Sequence, residues 1–179
     1  MFEGWDSFFL LIGGAAGALI GLMFVVTTLT SNLEREERLR GASLYFSPIV
    51  FHFVMVMVVS GVALAPRLHP AHLATAFGVC AITGAVHLGL VSARIASPKT
   101  SPTQHWSDLW CYGAAPLALY LALGGAAASV ALTRSWAPYA VAAATLALLL
   151  IGIRNAWDLV TWLAPSKDAP AGGSPAGGS

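Results

Sequence analysis

The chain has 179 residues, of which 57% are hydrophobic and only 9% are charged, with a net charge of +1 and a mean hydropathy of +0.74. Ordinary globular proteins contain about 25% charged residues. This composition excludes a water-soluble domain and requires lipid to solvate much of the surface. The sequence also contains no basic run that would follow a nucleic-acid backbone, so nucleic acid is not a predicted partner.

Five apolar segments are long enough to cross a bilayer, which takes about 20 residues of helix. They cover residues 5–30, 44–65, 73–95, 109–132 and 137–163. The predicted fold is therefore all-α, a polytopic transmembrane helical bundle of five spans within residues 1–164. A four-span bundle is the alternative, because Arg154, Asn155 and Asp158 interrupt the last segment.

Polar connections separate the five segments. Residues 31–40 carry charges of both signs, and the alternating charges at residues 34–40 predict either a short solvated extension of the first helix or a partner-binding segment. Residues 66–70 are a turn bracketed by prolines, residues 97–107 a polar loop, and residues 133–135 a very short turn. Residues 165–179 form a Pro/Gly/Ser-rich tail that has nothing to bury, so we expect it to be disordered.

The Lys and Arg residues are divided unequally between the two ends of the predicted helices. One end has only Arg67 and Arg134. The other end has all the remaining ones: Arg35, Arg38, Arg40, Arg94, Lys99, Arg154 and Lys167. Because Lys and Arg concentrate in cytoplasmic loops, the distribution predicts an N-terminus outside and a C-terminus in the cytoplasm.

Three glycines in the first segment form a repeated GxxxG pattern, a glycine zipper. Gly13, Gly17 and Gly21 are spaced four residues apart, which lets another helix approach closely. The pattern predicts either self-association, including a pore-lining face, or close packing within one chain. Bulkier residues on the opposite face are expected to contact lipid: Leu11, Leu19 and Leu22. A weaker stripe in the fourth segment consists of Ala114, Ala118, Ala122 and Ala126.

Two histidines, His52 and His87, lie inside the second and third segments. Each is eight residues from the cytoplasmic end of its segment, about 12 Å along a helix, so the two could face each other. A histidine in hydrocarbon must find a partner. Three hypotheses follow: axial ligation of a single b-type haem by both histidines, a proton-responsive pair, or two separate histidines bonded to carbonyls or hydroxyls.

A second polar group consists of Arg154, Asn155 and Asp158 near the end of the fifth segment. Arg154 and Asp158 are separated by four residues and share a helix face, so they can pair and reduce the cost of their position near lipid. The group is either a polar site or proton relay, or a structural pair whose arginine reaches toward the headgroups.

No catalytic motif is present, and the sequence predicts neither catalytic residues nor a metal-binding cluster. The two cysteines, Cys80 and Cys111, lack metal-ligand spacing and are interpreted as small packing residues.

The first segment reads WDSFFLLIGGAAGALIGLMFVV, from Trp5 to Val26. It resembles the opening of small bacterial polytopic membrane proteins labelled modulators of the protease FtsH. These proteins begin with a Trp and paired Phe, continue with a Gly/Ala-rich stretch and then have Gly-Leu-x-Phe-Val. The resemblance implies a multi-pass protein of the bacterial cytoplasmic (inner) membrane and transfers no functional residue.

Three classes of function are therefore considered. The first is a non-enzymatic membrane protein that packs with itself, as a homo-oligomer, or with a larger membrane protein. The second is an oligomeric channel or transporter, suggested by the glycine zipper and the embedded polar residues. The third is a haem-binding membrane protein that uses His52 and His87. In the first two classes no cofactor is expected.

Overall fold

The chain folds as a bundle of helices. The structure, a computed structural model, describes residues 1–30, 36–95 and 110–163, and within them the side chains of residues 1–28, 48–91 and 110–161. The helices are α1 (Asp6–Thr30), α2 (Glu36–Leu64), α3 (Pro70–Ile95), α4 (Ala115–Ala131) and α5 (Ala137–Leu163). No strand occurs in the described ranges, so the predicted all-α bundle is confirmed.

Among the residues whose side chains are described, four segments are long and apolar enough to cross a membrane. They are Asp6–Thr28, Pro70–Val91, Trp110–Ala131 and Ala137–Thr161. The remaining apolar segment, Pro48–Leu64, is shorter and belongs to α2. Helix α2 as a whole has 29 residues, about 43 Å at 1.5 Å per residue, against a hydrocarbon core of about 30 Å. The four-span alternative supposed that the last helix does not cross the membrane. That helix is one of the four that are long and apolar enough to do so.

The predicted helix limits are close to those observed, with one correction. Residues 36–40 were predicted to extend the first helix, but they begin α2 instead. Glu36 and Glu37 are the first two residues of α2. Residues 31–35, the predicted loop at 97–107 and the predicted tail at 165–179 lie outside the described residues.

A tight turn makes α4 and α5 antiparallel neighbours. Thr133 has a positive φ of 51°, and its N–H donates to the carbonyl of Val130 at 3.0 Å. The N–H of Arg134 donates to the carbonyl of Ser129, also at 3.0 Å. These two bonds form a Schellman motif, which satisfies carbonyls at the end of α4 and reverses the chain.

A π-helical turn over Trp110–Ala114 leads into α4. Pro116, in the first turn of α4, is the physical reason for this irregularity. Proline has no backbone N–H, and its ring collides with the carbonyl four residues earlier, which here belongs to Tyr112. One extra residue in the turn moves that carbonyl away from the ring.

The helices pack unequally. Helices α3 and α4 have the most extensive contact, α1 packs mainly on α2, and α5 packs against both α2 and α4. In the membrane-spanning part of α5, 50% of the residues are buried inside the bundle. In that of α1, only 22% are buried. Helix α5 is therefore central, whereas α1 is peripheral and presents most of its surface outward.

Three glycines allow close approach between helices at points where a side chain would not fit. A Cβ atom at Gly13 of α1 would lie 2.9 Å from the Cβ atom of Ser60 in α2. A Cβ atom at Gly152 of α5 would lie 2.8 Å from Cε1 of Phe53 in α2. At Gly84 of α3, a Cβ atom would overlap the ring of Tyr120 in α4. Large side chains fill the interior around these points: Phe9, Ile49, Phe77, Leu88, Leu123 and Leu148.

Candidate functional site

The first candidate site is a cluster of rings between α2, α3 and α4. His52 is fully buried, and its Nδ1 atom shares a hydrogen bond of 3.0 Å with the hydroxyl of Tyr120, which is also fully buried. The slot opened by Gly84 accommodates the ring of Tyr120. Phe51 stacks on His87 with their ring centroids 4.1 Å apart and an angle of 18° between the planes. The two histidines are thus joined by Phe51, whose ring is 6.4 Å from that of His52.

The structure therefore places the two predicted histidines in one cluster, with Tyr120 as the hydroxyl partner of His52. Among the described residues, no hydrogen-bond partner is found for Nε2 of His52. A hydrogen bond to one ring nitrogen fixes the orientation of a histidine and leaves the other nitrogen as the position that can bind a ligand. The arrangement is a defined polar contact inside an apolar bundle, and it is the site at which a ligand to His52 would bind.

The haem hypothesis stays a prediction. In the described parts of the chain, no three His, Cys, Asp or Glu side chains converge to hold a metal ion on their own. The hypothesis assigns both axial positions to imidazoles, one from His52 and one from His87; in the structure Nδ1 of His52 is bonded to Tyr120 and the ring of His87 is stacked on Phe51. A Soret band that disappears in His52→Ala would establish the haem, whereas colourless protein from haem-supplemented cells would exclude it.

The second candidate site joins the C-terminal part of α5 to the π-helical turn. Asn155 is buried, and its Nδ2 atom donates to the carbonyl of Cys111 at 3.0 Å. The hydroxyl of Tyr112 donates to the backbone carbonyl of Asn155 at 3.1 Å. Arg154 donates to Oδ1 of Asn155 at 3.2 Å and forms an ion pair of 3.1 Å with Asp158.

The three predicted residues of α5 are thus connected, but they differ in environment. The side chains of Arg154 and Asp158 are 46% and 44% exposed. Both residues lie within the apolar segment Ala137–Thr161, so pairing lowers the cost of holding each charge near lipid. Asn155 is inside the bundle, where its amide bonds α5 to the π-helical turn.

The three glycines of the stripe predicted in α1 have different packing environments in the structure. Gly13 packs closely on Ser60, and Gly17 is 4.0 Å from Sδ of Met57, measured from an added Cβ. Among the described residues, Gly21 has no atom within 4 Å of an added Cβ. Close packing on described residues therefore accounts for Gly13 and contributes at Gly17, and none is seen at Gly21.

Two further expectations about helix faces need correction. Leu11 and Leu22 are exposed, as expected of lipid-facing residues, but Leu19 is half-buried and packs against the core. Of the predicted alanine stripe in α4, only Ala126 is buried. Three alanines of that stripe face outward: Ala114, Ala118 and Ala122. Helix α4 instead meets α3 through Tyr120 and Gly124, where an added Cβ would lie 3.7 Å from the Cβ of Ala81.

Four residues that form these contacts were not predicted from the sequence: Tyr120, Tyr112, Gly84 and Gly152. A tyrosine within a span is a usable signal, because its hydroxyl needs a hydrogen-bond partner away from water. The glycines gave no comparable signal, since the chain contains 18 of them and only their neighbours distinguish them.

The chain matches no protein-family model, no curated protein and no solved structure. Its class is therefore defined by its own fold, and that class is the α-helical membrane proteins. The resemblance of the first segment to modulators of the protease FtsH stays a prediction.

Proposed function

We propose that this chain is a non-catalytic integral membrane protein that packs with a second copy of itself through α1. The observation that carries the proposal is a stripe of small residues on the outward face of the least buried helix. Gly14, Ala18 and Gly21 are exposed, and within the described part of the chain neither glycine has an atom of another helix within 4 Å of an added Cβ. Positions four and seven residues apart lie on the same face of a helix.

Small residues on an outward face favour association over lipid contact. Lipid tails are as apolar as leucine, so helices associate in a bilayer through close packing, and Gly and Ala permit the closest approach. A single helix carries the whole stripe, so two copies can present it to each other across a two-fold axis. No charged side chain interrupts this face between Asp6 and the end of the stripe at Gly21.

Adjacent glycines provide a matched test. Gly14→Leu adds a bulky side chain to the outward face, whereas Gly13→Leu adds it against Ser60 inside the chain. We expect Gly14→Leu to convert dimer to monomer in lipid nanodiscs, with unchanged thermal stability of the monomer. Gly13→Leu should lower thermal stability instead. Leu11→Ile, at an exposed position, is the control and should change neither.

Mass measurement of the wild-type particle separates the possible outcomes. A wild-type monomer in nanodiscs, or a dimer unaffected by Gly14→Leu and Ala18→Leu, would overturn the proposal. A stoichiometric complex with a different membrane protein, lost in Gly14→Leu, would overturn the choice of a second copy and identify the stripe as the binding face of a larger partner.

We further propose that the protein resides in a bacterial cytoplasmic membrane with its N-terminus outside. The unequal distribution of Lys and Arg supports this orientation. The channel or transporter alternative stays a prediction, for which liposome flux is the test.

A further inference from the structure

The entry to α4 contains a backbone carbonyl that the helix cannot satisfy by itself. In an α-helix a carbonyl accepts a hydrogen bond from the N–H four residues later, and in a π-helix from the N–H five residues later. Pro116 has no N–H. It therefore cannot donate to Tyr112 in the α register, nor to Cys111 in the π register that the structure shows over Trp110–Ala114.

Asn155 supplies the missing donor from another helix. Its Nδ2 atom donates to the carbonyl of Cys111 at 3.0 Å, and Asn155 is buried, with a relative exposure of 1%. The hydroxyl of Tyr112 donates back to the carbonyl of Asn155 at 3.1 Å. An unsatisfied carbonyl away from water is costly, so these bonds stabilise the π register over its alternatives.

We propose that Asn155 is a latch that holds the π-helical turn at the start of α4, and that its role depends on Pro116. When the latch is released, the turn either opens or rewinds toward an α-helix. A π-turn contains one extra residue, and removing it rotates the preceding chain by about 100° around the helix axis. The latch therefore sets the direction in which Trp110, which is 61% exposed, projects from the bundle.

Coupling between Asn155 and Pro116 distinguishes a latch from an ordinary packing residue. Pro116→Ala restores an N–H at position 116, so the backbone itself can satisfy the turn. If the latch exists to compensate for proline, Asn155→Ala should be harmful in the natural chain and much less harmful in the Pro116→Ala chain. A residue that only fills space would have the same effect in both.

The experiment measures the rate at which a maleimide modifies Cys111, with the full-length chain in nanodiscs and the site resolved by mass spectrometry. Cys111 lies within the turn, and the buried Cys80 in α3 reports on the rest of the bundle. Asn155→Ala should make Cys111 react roughly five- to tenfold faster, the change expected for loss of one hydrogen bond. Cys80 should remain protected, and the Asn155→Ala/Pro116→Ala chain should return to the slow rate of Pro116→Ala alone.

The other possible outcomes of the labelling experiment also test the proposal. An equal acceleration of Cys111 by Asn155→Ala in both backgrounds would overturn the proposal, as would no acceleration in either. If Asn155→Ala exposes Cys80 as well, the bundle has opened as a whole. Recovery of Cys80 protection by Pro116→Ala would then support the latch, and continued exposure would overturn it.

Discussion

The slot at Gly84 provides the sharpest test of how this bundle is held together. Replacing Gly84 with alanine adds one methyl group, which would overlap the buried ring of Tyr120. Either α3 and α4 must separate, or the ring must move and lose its hydrogen bond of 3.0 Å with His52. One carbon atom is thus expected to disturb the contact between the two helices that pack most extensively.

The expected magnitude follows from three terms. Overpacking a well-packed interior costs about 1–3 kcal/mol, and loss of the hydrogen bond adds about 1 kcal/mol. The change from glycine to alanine in a helix returns at most about 1 kcal/mol. The free energy of unfolding of Gly84→Ala should therefore fall by about 1–3 kcal/mol.

The same helix supplies a control. A Cβ atom at Gly89 of α3 has no neighbour within 4 Å in the described part of the chain, so Gly89→Ala should be neutral or slightly stabilising. Both variants would be compared by reversible denaturant unfolding in mixed micelles. A second replacement, Tyr120→Leu, should reduce the cost of Gly84→Ala because it removes the ring that the methyl group meets. If Gly84→Ala is as stable as Gly89→Ala, the close approach of α3 to Tyr120 is wrong.

Two further predictions concern the buried hydrogen bond and the orientation. Tyr120→Phe removes the hydroxyl that bonds fully buried His52, so the free energy of unfolding should fall by about 1–3 kcal/mol. Tyr139→Phe, at a residue that is 66% exposed, should have no measurable effect, and equal stability of the two variants would contradict the role of the bond. A reporter fused after Ser179 should be active only as a cytoplasmic fusion, and one inserted after Arg134 only as an external one. The reverse pattern would overturn the proposed orientation.

The number of helices and their approximate limits were predictable from the sequence. Hydropathy and segment length are local properties, and proline and charged residues mark the connections. The fifth helix, predicted at residues 137–163, has those limits in the structure. The charged residues at 36–40 were assigned to the wrong helix, because a solvated helical pattern contains no information about which neighbouring span it continues.

The rotation of each helix about its axis was decided only by the tertiary structure. In a soluble protein, polar residues mark the face of a helix that points outward. Here both faces are apolar, because lipid and the bundle interior have the same polarity. The sequence therefore identified Gly13, Gly17 and Gly21 as one stripe without showing that only Gly13 makes a close contact.

For the candidate sites, too, the sequence identified some residues and only the tertiary structure identified their partners. His52, His87 and Asn155 were recognisable from the sequence, because polar side chains inside a span are costly and stand out in an apolar segment. Their partners were not recognisable. Tyr120 is 68 positions from His52, and Cys111 is 44 positions from Asn155. These contacts depend on how α4 packs against its neighbours, which is determined by the close fit of side chains such as Tyr120 opposite Gly84.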